Sequence, residues 1–150
     1  MIKQKYPNAP GFTIVELVVI LCVLVILVVI TAVSYNALRI RTLGANTENN
    51  AKLLQKKVQA YFNVSNAYPT AATATTNLNS KTASKLDGII TLGNPTATNG
   101  ERTMRLELCT AGGTGYRINY WDYDSNTLPA TAQISDGADV SLCTTWVTAT

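Results

Sequence analysis

Histidine is absent from the 150 residues. Its absence removes the commonest general base and metal ligand. It also rules out every Ser/His/Asp or Cys/His arrangement for nucleophilic catalysis, and no residue set supports an enzyme. Charge is scarce, at 14% of residues, and the formal net charge is +3. Losing Lys3 and Lys5 with a leader would leave about +1, too little to predict direct nucleic-acid binding. From Tyr68 onward five basic residues (Lys81, Lys85, Arg102, Arg105, Arg117) stand against seven acidic ones, a poor electrostatic footprint for DNA. Cysteine occurs three times. Cys22 lies in an apolar run and reads as a small apolar residue. Cys109 and Cys143 could pair, which would imply an oxidising, extracytoplasmic location. Closing a loop of about 34 residues would add roughly 3–4 kcal/mol if chain entropy sets the gain.

What the chain does have is one long apolar run. From Leu17 to Ile30 the only polar group is the Cys22 thiol. The run from Phe12 to Val33 is about twenty residues, and a helix of that length crosses a hydrocarbon core of roughly 30 Å. It is apolar all round, so it has no face for water and does not read as an amphipathic core helix. Glu16 is the anomaly. At bilayer depth its charge costs on the order of 2.5–3.5 kcal/mol, so it is a functional candidate in need of a positive partner. A free amine on Phe12 would serve, in the same chain one turn away or in a neighbouring copy. That amine exists only if the chain is cut between Gly11 and Phe12. The preceding stretch, Met1 to Gly11, is a short leader with Lys3, Lys5, Pro7 and Pro10. Its positive charge favours a cytoplasmic N-terminus, although Arg39 and Arg41 on the other flank weaken the bias. A secretory signal peptide fits poorly, because the run is too long and no small-residue cleavage site follows promptly.

Gly11-Phe12-Thr13-Ile14-Val15-Glu16-Leu17, with a basic leader before it and an apolar helix after it, resembles the class III signal of type IV pilins and pseudopilins. The resemblance implies cleavage after Gly11 by a prepilin peptidase, N-methylation of Phe12 and an assembly role for Glu16. It implies a structural filament subunit with no enzymatic activity, held in the cytoplasmic membrane and then polymerised into an extracellular pilus. Such filaments serve adhesion, twitching motility or DNA uptake. The implied partners are further copies of the chain, the peptidase, an assembly platform and minor pilins. The alternatives are a pseudopilin of a type II secretion or competence system, or a single-pass adhesin or receptor that never polymerises. The expected fold is α+β. A long N-terminal helix, transmembrane in its first half and amphipathic in its second, packs on a small antiparallel β-sheet head. The expected divisions are a leader over 1–11, a membrane or filament-core helix over 12–33, its amphipathic continuation over 34–66, and a head over 67–150. One departure is notable. Many family members carry a glycine within the helix and a proline near its end, and Leu24 to Val33 has neither. The helix is therefore expected to be unbroken. Family members also carry a C-terminal disulfide-bounded region, which would place Cys109 and Cys143 at its ends.

Leu38, Ala45, Leu53, Leu54, Val58, Tyr61 and Phe62 recur at mostly helical spacings, so the amphipathic continuation reads as helix. Helix from Phe12 to about Phe62 would span roughly 75 Å. Gly44, Asn46, Asn49 and Asn50 are its weak points. Arg39, Arg41, Lys52, Lys56 and Lys57 form a solvated or head-group-facing charge set. Tyr68-Pro69 should follow the helix end, and it resembles the tyrosine-proline found there in pilins. The Thr-, Ala- and Ser-rich stretch from Thr70 to Ser84 reads as a loop, with a short helix possible at Ala83–Leu86. Strands are expected at Ile89–Leu92, Thr103–Cys109, Tyr116–Tyr123 and around Val140–Val147. The middle two should form a hairpin across Ala111–Gly115. Gly112-Gly113-Thr114-Gly115 is no phosphate loop, since neither Lys-Ser/Thr nor a helix follows. Asp122, Asp124 and Asn126 are spaced like the opening of a calcium loop, but Thr127 and Gln133 stand at the glycine and closing-acid positions. A hairpin turn is the plainer reading there, with calcium, joined by Asp136 and Asp139, the minority one. Tyr116, Tyr120, Trp121 and Tyr123 suggest a stacking surface, although strands are rich in aromatics in any case.

Overall fold

The computed structural model describes residues 11–131 and 133–150, and of Val33 the backbone alone. The expected leader therefore lies outside the described residues, except for Gly11. The chain divides into two compact units, Met1–Leu38 and Arg39–Thr150. Helix α1, Ile14–Ser65, contributes to both.

Among the described residues of the first unit α1 has no apolar partner. Large apolar side chains from Phe12 to Ile30 are exposed, from 47% at Ile20 to 82% at Ile14. The Thr31 and Ser34 hydroxyls are satisfied within the helix. Thr31 Oγ1 donates to the carbonyls of Leu27 and Val28, and Ser34 Oγ donates to that of Ile30. An apolar surround requires such internal pairing. This stretch is long and apolar enough to cross a membrane. The helix is unbroken, as the lack of glycine and proline over 24–33 leads one to expect.

In the second unit, Thr47, Ala51, Leu54 and Val58 of α1 are fully buried. Their 4-3-4 spacing makes one stripe, flanked by Leu53 and Tyr61. Leu38 and Ala45 are off it and exposed. Thr47 takes the place expected of an apolar residue, because its hydroxyl donates to the Leu43 carbonyl at 2.8 Å and so carries no unpaired polar group into the core. The helix ends where expected. Asn66 adopts a left-handed φ of 53°, and its N–H donates to the Phe62 carbonyl at 2.7 Å, which caps the last turn. Residues 70–84 are not the plain loop that their composition suggests. A 3-10 turn at Ala71–Thr73 leads into helix α2, Ala74–Asn79, which buries Ala74 and Leu78. The short helix held possible at Ala83–Leu86 does not form: Ala83 and Ser84 lie in a turn and Lys85 and Leu86 are irregular, and Ser84 Oγ donates to the Leu78 carbonyl at 2.7 Å.

Five strands follow: β1 Thr91–Leu92, β2 Thr103–Ala111, β3 Tyr116–Asn119, β4 Ile134–Asp136 and β5 Thr145–Thr148. Their order is β1-β2-β3-β4, with β5 also paired to β2. β2 and β3 form the expected hairpin. The sheet is mixed rather than wholly antiparallel, because β1 runs parallel to β2. Turns over residues 93–102 bring the chain back to its starting direction, and the N–H groups of Thr91 and Gly93 donate to the carbonyls of Arg102 and Met104. The last strand begins later than expected, since Val140–Leu142 is a 3-10 turn. β2 and β3 place Leu106 opposite Ile118 and Leu108 opposite Tyr116. With Met104 these side chains join the α1 stripe and Leu78 in one core. The architecture is α+β.

Candidate functional site

The chain enters α1 through Gly11-Phe12-Thr13. Phe12 is 72% exposed, and a Cβ on Gly11 would meet no atom within 4 Å. Thr13 stands just before the first helical residue, Ile14, and Glu16 is the third helical residue. Their side chains bond reciprocally. Glu16 Oε2 accepts from the Thr13 N–H at 3.3 Å and from the Thr13 hydroxyl at 3.1 Å. Thr13 Oγ1 accepts from the Glu16 N–H at 3.2 Å. This is a capping box, which satisfies donors that the first turn leaves open. An acid here also faces the positive end of the helix dipole. The Thr-x-x-Glu spacing signals this local partner in the sequence. Oε2 makes both bonds, so Oε1 has no intrachain partner among the described residues and is available to a cation from elsewhere.

Cys109 and Cys143 are bonded, with Cα atoms 5.8 Å apart. The bridge ties β2 to the segment just before β5. Cys22 is free and exposed. The expected calcium residues sit in a tight turn, where Asp122 and Thr127 exchange backbone bonds of 2.9 and 3.2 Å. The Asp122 carboxylate is turned onto the turn's own donors. Its Oδ1 accepts from the Asp124 N–H at 2.9 Å and its Oδ2 from the Ser125 hydroxyl at 2.7 Å. The Ser125 hydroxyl, with backbone N–H groups behind it, holds this carboxyl below its ordinary range. Asn126 takes the left-handed position, φ 54°. Asp136 is engaged elsewhere, by Gln59, Tyr116 and Gly137, and Asp139 is exposed. Among the described residues no three His, Cys, Asp or Glu side chains are grouped to hold a metal.

Three of the four aromatics, Tyr120, Trp121 and Tyr123, line one pocket with Glu48 and Gln133, and Tyr116 does not join them. Tyr116 is fully buried in the core, 5.5 Å from the ring of Tyr68, while Tyr120, Trp121 and Tyr123 are half-buried. Among the described residues, two of the α1 cations form ion pairs: Lys52 with Glu48 at 2.6 Å and Lys57 with Asp87 at 3.6 Å. On the sheet, Arg117 pairs with Glu107 directly across the β2–β3 ladder. Its guanidinium lies 4.5 Å from the Trp146 ring centre, a cation–π contact. Composition gives no hint of this group; it needs the strand register. Comparison with protein-family models, with curated proteins and with solved structures found no match to this chain.

Proposed function

We propose that the chain is a type IV pilin-like structural subunit. A prepilin peptidase cuts it after Gly11 and methylates the Phe12 amine, and the subunit then polymerises through the apolar first part of α1. Before assembly that part lies in the cytoplasmic membrane, with the N-terminus cytoplasmic. After assembly it forms the filament core, and the head faces the extracellular medium, where a Cys109–Cys143 bond is chemically at home. The carrying observation is an apolar helix surface with no partner among the described residues of its own chain, headed by an acid in its first turn. Lipid covers such a surface in the monomer and copies of the same helix cover it in a polymer. Repetition of one heterologous contact gives an open filament. The methylated Phe12 amine of a neighbour then neutralises Glu16, through the oxygen that Thr13 leaves open. Adhesion, motility or DNA uptake would belong to the filament rather than to a catalytic site, with motor proteins supplying the energy. Isolation of surface filaments tests this reading. Long filaments built mainly of this chain support a pilus, short ones confined to the envelope support a pseudopilus, and their absence removes the proposal.

One observation favours a second reading. The capping box gives Glu16 a purely local reason to be where it is. A single-pass anchor displaying a ligand-binding head would need nothing more from that residue.

A further inference from the structure

A groove of about 900 Å³ opens in the second unit, where the end of α1 and the loop after it meet the ends of β2, β3 and β4. That volume lies within the range of small-ligand sites. Part of its lining is aromatic, with the Phe62 and Tyr68 rings 4.6 Å apart. Asp136 lines the same groove, and among the described residues no Lys or Arg does. The Asp136 carboxylate accepts from the Gln59 amide, from the Tyr116 hydroxyl at 3.5 Å and from the Gly137 N–H at 2.8 Å. All three donors are neutral. Among the described residues the ion pairs are Lys52–Glu48, Lys57–Asp87 and Arg117–Glu107, so Asp136 has no cation. Its field reaches its neighbours. Burial first and the Asp136 charge second hold the Tyr68 and Tyr116 phenols above their ordinary value.

A half-buried carboxylate served only by neutral donors, beside aromatic rings, lacks one component. Anions are disfavoured there. A neutral sugar could stack on the rings but would leave the charge unanswered. A cation on an apolar stem satisfies both features: its head makes a charge-assisted bond to the carboxylate, and a ring face adds roughly 0.5–2 kcal/mol. We propose that this groove binds an organic cation, a primary ammonium or guanidinium on an apolar stem, with the head on Asp136 and the stem along Phe62 and Tyr68. A lysine or arginine side chain of another protein and a free diamine share this chemistry. The site belongs to the head alone and does not depend on whether the chain polymerises.

The test is an amide NMR titration of the full chain in detergent micelles. The probes are cadaverine, Nα-acetyl-lysine methylamide, its neutral norleucine counterpart and methyl glucoside. Saturable shifts at Tyr68, Thr110 and Gly137 are expected with the two cations, with the neutral probes at least about tenfold weaker. Tighter binding of cadaverine identifies a free diamine as the source, and tighter binding of the lysine amide identifies a protein side chain. Asp136→Asn should weaken binding by about tenfold or more. Gln59→Lys is the second variant: Gln59 is exposed, so the fold tolerates the change while an internal ammonium occupies the carboxylate. It should abolish binding. If Asp136→Asn loses the native amide spectrum, Gln59→Lys decides alone. Absence of saturation with both cations, equal binding of the norleucine probe, preference for methyl glucoside, or unchanged binding in Gln59→Lys would each overturn the proposal.

Discussion

Glu16→Gln separates the two roles open to the first turn of α1. A glutamine oxygen still accepts from the Thr13 N–H and hydroxyl, and glutamine serves in a capping box as glutamate does. The local bonds seen at 3.3 and 3.1 Å therefore survive the substitution, and only the charge is lost. Glu16→Ala removes the charge and the two bonds that the carboxylate accepts, while the N–H of residue 16 still donates to Thr13 Oγ1. Thr13→Ala keeps the charge and removes the cap, at a cost of about 1 kcal/mol, within a range of roughly 0.5–2. That cost appears as fraying of one turn, because the apolar run beyond it is unaffected. The charge carries more. A carboxylate and an amine about 4 Å apart at an effective dielectric of about 20 attract by roughly 4 kcal/mol, and even a third of that is worth about tenfold per contact. Filament assembly repeats the contact at every subunit. Glu16→Gln should thus reduce sheared surface filament by about tenfold or more relative to the membrane pool, while Thr13→Ala has the smaller effect. Immunoblots of the two fractions measure the yield, and amide exchange of residues 13–17 in micelles reports the cap. Wild-type filament yield from Glu16→Gln, with loss only in Thr13→Ala, would reduce Glu16 to a capping residue.

Leu54 is fully buried on the α1 stripe, so Leu54→Ala should destabilise the head by about 2–5 kcal/mol, read from urea unfolding followed by tryptophan fluorescence. An unchanged midpoint would mean that α1 does not pack there. Replacing Cys109 and Cys143 by serine together opens a loop spanning 34 residues and should cost roughly 3–4 kcal/mol; equal midpoints with and without reductant in the parent chain would contradict the bond. Tyr116 provides an alkaline signature. Burial first, then Asp136 and Tyr68, hold its phenol well above the ordinary 10.0. The folded state thus keeps a proton that the unfolded chain gives up, so the stabilisation is complete below about pH 10 and falls as pH rises toward the folded value. The exposed Lys52–Glu48 pair loses strength in the same direction, so the comparison is with Tyr116→Phe, which should flatten the decline. Identical slopes in the two chains would remove Tyr116 as the cause.

The helix and its end were legible because each rests on local pattern. An apolar run of membrane length admits one conformation in lipid, and Tyr68-Pro69 marks where it must stop. The β2–β3 hairpin was legible from alternation on both sides of a glycine-rich turn. What escaped depends on partners distant in sequence. β4 has three residues, too few for a period, and the parallel direction of β1, a strand expected over Ile89–Leu92, follows from the turns over 93–102. α2 is hidden in a Thr- and Ala-rich run whose composition suits a loop, and the burial of Ala74 and Leu78 decides otherwise. The stripe was placed only in part, because buried Thr47 reads as polar until its bond to Leu43 is seen. The Asp136 groove draws on residues 59, 62, 68, 116 and 136, which no spacing rule brings together. The Thr13–Glu16 box is the opposite case. It is fully local, and the Thr-x-x-Glu spacing alone carries it.

The intact mass of the chain recovered from the membrane and from surface filaments tests the central claim most directly. Processing predicts a chain that begins at Phe12, lighter by Met1–Gly11 and heavier by one methyl group on the new amine. A chain that still begins at Met1 in both fractions would leave Glu16 without the amine that it is proposed to meet, and would contradict the assembly mechanism at its first step.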